Sequence, residues 1–165
     1  MKDYRIFSTI LIITFASSCN WYIFRKSTYL PRNRPEICVQ VFDGTAVNAD
    51  RLMSFSVEQL LVLQECGLGY YPHEQLQNFI ADQDEYPVPE LIKHMQTAQD
   101  EEFQHYLILD FVALTKSEKH NKRLLSDKDL VLTEVNETIQ KMQSVNLKKY
   151  SEIEFNKIKK FFDNN

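Results

Sequence analysis

Glycine is scarce, with 3 residues in 165; there are only 5 prolines and a single tryptophan. Collagen, low-complexity linkers and glycine-rich phosphate loops all need backbone freedom that only glycine supplies readily, so none of them fits. Long β-meanders, whose tight turns draw on glycine, fit poorly too. There is no excess of positive charge: 19 basic against 23 acidic residues give −4. Affinity for nucleic acid rests on neutralising phosphates with lysine and arginine, so no nucleic-acid partner is expected. The chain holds no G-x-S-x-G, no Walker loop, no H-E-x-x-H, no C-x-x-C and no EF-hand loop. What is there is 44% hydrophobic and 25% charged, the composition of an ordinary folded domain.

The first residues read as an address. Lys2 and Arg5 make a short basic start, Ile6 to Ala16 is uncharged and mostly apolar, and Ala16, Ser17 and Ser18 lead into Cys19. That is the layout of a secretory signal peptide over residues 1–18. The run Phe15-Ala16-Ser17-Ser18-Cys19 resembles the lipobox of bacterial lipoproteins, in which the cysteine is acylated and becomes the first residue after cleavage. The resemblance implies a lipid anchor on Cys19 and a place in the cell envelope. Asn20 follows where an aspartate commonly retains such proteins in the inner membrane, which implies the outer membrane or periplasmic side of a Gram-negative host. Ala16 stands where that family most often has leucine, and Ala16-x-Ser18 also suits an ordinary signal peptidase. Two other outcomes stay open: soluble export, or Ile6 to Phe24 kept as a single-pass anchor, close to the about 20 residues a span needs.

With Cys19 taken by lipid, Cys38 and Cys66 remain as an even pair in an oxidising compartment, and a disulfide between them competes with two buried thiols. Arg25, Lys26, Arg32 and Arg34 with Pro31 and Pro35 make residues 19–36 a basic tether, ahead of a single domain over 37–165. Within that domain charge is uneven. Asp43 to Glu102 carries twelve acidic residues against Arg51 and Lys93, whereas Lys116 onward carries eleven basic against eight acidic. Opposite halves can face each other, or leave an acidic face for a cationic partner.

The spacing predicts an all-α domain. Ile37 to Phe42 is β-branched and could form one short strand, but nothing obvious pairs with it. Ser56-x-x-Gln59 fits a capping box ahead of Val57, Leu60 and Leu61, and Gly67 ends that helix. A second helix runs near His73 to Ala81, and Pro87 and Pro89 start a third in which Val88, Leu91, Ile92 and Met95 share one stripe. Asp100 caps a fourth, Phe103 to Leu114, which is apolar nearly all round and is expected at the centre. After a polar loop come a helix aligning Leu132, Val135, Ile139 and Met142, and a last one near Tyr150 to Phe162. Short connections imply three antiparallel helix hairpins. The middle one, with its proline start, Asp100 at the turn and an aliphatic second helix, resembles a HEAT-type repeat over residues 88–115, which implies an α-α superhelix. A compact orthogonal bundle is the alternative. Gln104 stands where such repeats often carry arginine.

Candidate sites are few. Glu90 with His94 and Glu101 with His105 form i, i+4 pairs, but helical angles turn Glu90 and His105 away from the apolar stripes, so solvated pairs are expected rather than a metal site. No cofactor is expected. Asp110 shares a face with Phe103, Leu107 and Leu114, so its carboxyl must find a cation or hydrogen bonds, or take up a proton. Arg51, Lys93 and Arg123 are the expected cations. The clusters Asp82-Asp84-Glu85 and Asp100-Glu101-Glu102 are helix starts and turns by default, and the residues of a face for a basic partner otherwise. The expectation is a non-enzymatic envelope lipoprotein acting as a protein-binding module of the inhibitor or immunity type. The alternatives are a small envelope hydrolase using Asp110, or a single-pass anchored assembly protein.

Overall fold

The computed structural model describes residues 52–66 and 73–165, and among them every regular element is helical. The elements are α1 (Val57–Cys66), α2 (His73–Ala81), α3 (Val88–Thr97), α4 (Glu101–Leu114), a 3-10 turn (Glu118–His120), α5 (Asn121–Ser126), α6 (Lys128–Lys141) and α7 (Val145–Asn164). The segment 37–42, the signal region and the tether lie outside the described residues. None of the described helices is long and apolar enough to cross a membrane.

Local chemistry starts these helices where the sequence says it should. At α1 the Gln59 amide N–H donates to Ser56 Oγ at 3.3 Å while the Ser56 N–H donates to Gln59 Oε1 at 3.0 Å, a reciprocal capping box. Proline in the first turn of α3 removes an N–H that would have had no partner there. The Asp100 carboxylate accepts from Phe103 N–H at 3.0 Å and closes the start of α4. Helix α7 begins at Val145, earlier than expected, because Ser144 Oγ accepts from Leu147 N–H at 3.4 Å.

The stripe of α3 is buried as its spacing requires, and α4 lies at the centre, with Phe103, Leu107, Ile108, Phe111 and Leu114 all essentially inaccessible. Each such side chain stabilises the fold by about 1.5–3 kcal/mol relative to exposure. Helix α4 packs against α2, α3 and α7; α1 against α2 and α3; α6 against α3 and α7. On α6 the buried stripe is Val131, Val135, Thr138 and Ile139, continued by Met142 just past its end, with Leu132 only half-buried; α6 packs against α3 and α7. The polar loop after α4 is itself structured: the 3-10 turn and α5 carry Leu124 into the core.

Candidate functional site

The two acidic clusters occupy opposite ends of α3, a helix of ten residues and so about 15 Å long. Neither is simply solvated. At the α2–α3 turn, Lys119 Nζ donates to the Asp82 carbonyl and to Asp84 Oδ1, both at 2.7 Å, and His120 Nε2 lies 2.9 Å from the Gln83 carbonyl. The Arg123 guanidinium stacks over the Tyr86 ring at 4.1 Å, and Tyr86 OH donates to Asp127 Oδ2 at 2.8 Å. Here the acidic and basic halves of the chain do face each other. Glu85 is exposed in the same turn.

At the other end, Asp100 is occupied with its cap, and Glu101 reaches across to α7. Its carboxylate accepts from Gln143 N–H at 2.6 Å and from Ser144 N–H at 2.9 Å, which holds its pKa below the usual glutamate value. The neighbouring Glu102 is exposed, beside Tyr106. His105 is half-buried: its Nδ1 lies 2.9 Å from Oγ of the wholly buried Ser151 of α7. The helical-angle argument placed it correctly away from Phe103 and Leu107, but α7 covers that side of α4 as well.

Asp110 is completely buried, and among the described residues its partner is neither Lys93 nor Arg123, while Arg51 lies outside them. Lys93 pairs with Glu58 and Glu90, and Arg123 stacks on Tyr86. Instead Gln64 Nε2 of α1 donates to Asp110 Oδ1 at 3.1 Å. Gln64 Oε1 and Asp110 Oδ2 are buried with no other partner. Burial pushes the Asp110 pKa well above the usual carboxylate range, against the smaller opposing effect of the Gln64 bond. A raised pKa favours the protonated acid, whose hydroxyl can donate where a carboxylate cannot, so the pair reads as a carboxylic acid beside an amide.

Glu90 and His94 do stand near each other on α3, and the structure adds what their spacing does not reveal: Glu58, from the first turn of α1. His94 Nε2 is 3.0 Å from Glu58 Oε2, and one donor atom from each of the three residues lies within 4.8 Å of the others. Glu58 is 32 positions away in sequence, so no local pattern brings it there.

A groove of about 360 Å³ runs over α4 between α2 and α7. Leu109, Val112 and Ala113 line it from α4, with Glu74 and Gln77 on the α2 side and Lys157 on the α7 side. Tyr150 lies seven residues before Lys157, on the same side of α7, and is 57% exposed; Ile153, one turn on, is 48% exposed. The sequence marked none of these residues, because the groove exists only once three helices are assembled.

Cys66 is disulfide-bonded, with its partner outside the described residues, as are Cys19 and Cys38 themselves. Compared with protein families, with curated proteins and with solved structures, the chain matches none of them.

Proposed function

We propose that the protein is a cell-envelope lipoprotein, acylated at Cys19, whose helical domain binds an apolar-faced segment of a protein partner and carries out no chemistry of its own. The observation that carries the binding reading is the groove over α4, with its apolar base, charged walls and the exposed Tyr150 beside it. Exposed aromatic side chains such as Tyr150 are usual anchors of protein recognition, and the groove's mixed polar and apolar lining suits a partner segment with one apolar face. Asp82, Asp84, Asp100 and Glu101 each hold a hydrogen-bonding partner within the chain, yet Asp82, Asp84, Glu85, Asp100 and Glu102 stay exposed, so the acidic surface is kept as a second place for a basic partner to dock. The hydrolase reading loses support for a similar reason: a fully enclosed Asp110 cannot reach a substrate oxygen.

The same reading takes the domain as three helix hairpins stacked in the HEAT manner. Two rows of contacts support it, α1 with α3 and α3 with α6 in one, α2 with α4 and α4 with α7 in the other. Stacked repeats place equivalent helices side by side and parallel. In keeping with that, the first turns of α4 and α7 meet at Glu101 and Ser144, and His105 meets Ser151 one to two turns further on. Within the last pair, Lys128 at the start of α6 reaches Asp163 near the end of α7 at 3.7 Å, as an antiparallel hairpin requires. Cys38 is the proposed partner of Cys66.

The anchor is tested by the intact mass and first residue of detergent-extracted protein from its native host. A chain starting at acylated Cys19 supports the lipoprotein reading, and a chain starting at Met1 contradicts it.

A further inference from the structure

We propose that Glu58, Glu90 and His94 form a binding site for a divalent cation of the zinc class, at the point where α1 meets α3. The protein's own Lys93 marks the cation position: its ammonium bridges the two carboxylates, 2.9 Å from Glu90 Oε2 and 3.4 Å from Glu58 Oε2. That side chain is 58% exposed, so it can swing out when a more highly charged ion enters.

The donor set suits such an ion. Imidazole nitrogen and carboxylate oxygen are both donors that zinc accepts, and three protein ligands leave its fourth position for water. Donors at 2.0–2.1 Å around a tetrahedral ion lie about 3.3 Å from one another. His94 Nε2 lies 3.0 Å from Glu58 Oε2, and the three donor atoms all lie within 4.8 Å of one another, close to that spacing.

The ligands are also prepared. The His94 side chain is only 12% exposed, and its ring stands at 89° to Phe103 with centroids 6.0 Å apart, which fixes the direction of Nε2. Glu58 and Glu90 both sit in the first turn of their helices, where the helix dipole favours the carboxylate form. A bound ion would replace the hydrogen between His94 and Glu58 and tie α1 to α3, two helices that the chain joins only through α2.

The test is a zinc titration of the full chain in detergent with its cysteines oxidised, read by competition with a chromophoric chelator, and repeated with cobalt for its visible spectrum. One equivalent is expected to bind, with nitrogen and oxygen ligation in the cobalt spectrum. Glu58→Gln and His94→Ala each lower the affinity at least tenfold. Lys93→Met raises it roughly fivefold, the effect of removing one positive charge a few ångströms away in a solvent-exposed setting. Glu58 is partly exposed, so Glu58→Gln keeps the test valid even if His94→Ala unfolds. No saturable uptake, uptake unchanged in Glu58→Gln, or Lys93→Met binding no tighter than the native chain would each overturn the site.

Discussion

Gln64 of α1 and Asp110 of α4, 46 residues apart, meet with the Gln64 amide donating to Asp110 Oδ1 at 3.1 Å in a place that water does not reach. This is a polar joint in an apolar core, and it makes sense only if the acid keeps its proton.

The sign of its pH dependence follows. Asp110 has its folded pKa raised above the unfolded value of 3.8, so its contribution to stability is complete below about pH 4 and is lost as pH rises towards the folded pKa. Asp110→Asn keeps an oxygen to accept from Gln64 Nε2 and supplies an N–H donor without needing a proton. Urea unfolding should find the two proteins similar near pH 4 and the Asn variant more stable at pH 7, the gap growing by up to about 1.4 kcal/mol per pH unit in between. Asp110→Ala, which strands the Gln64 amide and leaves a void, should cost about 2–4 kcal/mol. An Asn variant weaker than the native chain at pH 7 contradicts the protonated pair.

His105 pulls the other way. Burial lowers its pKa below the ordinary 6.5, with Glu154 partly offsetting the effect. A depressed histidine gives stability that is complete above about pH 6.5 and is lost as pH falls below it. His105→Gln, which can keep a bond to Ser151, should flatten the decline between about pH 6.5 and pH 5. If the decline persists unchanged in the variant, some other group is responsible.

Glu101 is a cap supplied from a distance. Its folded pKa lies below 4.5 because two backbone N–H groups hold the carboxylate, so its contribution is present above about pH 4.5 and disappears as pH falls through the folded value. Glu101→Ala should speed hydrogen exchange at the Gln143 and Ser144 amides and fray the start of α7, while leaving α3 unaffected. Unchanged exchange at those two amides would show that the cap contributes nothing.

Much of the fold was legible because its signals are local. The capping residues Ser56 and Asp100 and the i, i+3, i+4, i+7 stripe of α3 act within one helix, and each is found where its spacing puts it. The burial of Asp110 was readable from angles along α4 for the same reason. Its partner was not, since an amide inside the apolar α1 carries no mark of the residue 46 positions later that will face it. Glu58 beside His94 and Glu101 beneath α7 are failures of the same kind: each pairing is set by which helices pack together. His105 was expected on the solvated side of α4, but α4 is covered by α2, α3 and α7, and His105 is half-buried against Ser151.

The binding reading meets its most direct test in a site-specific photocrosslinking scan within the native host. A photoreactive residue at Gln77 or Tyr150, beside the groove, is compared with one at Asp129, an exposed position on α6. The account predicts one discrete crosslinked product from both groove positions, none from Asp129, and loss of that product in a Lys157→Glu chain that folds normally. Products of equal yield from all three positions, or none from the groove, would contradict it.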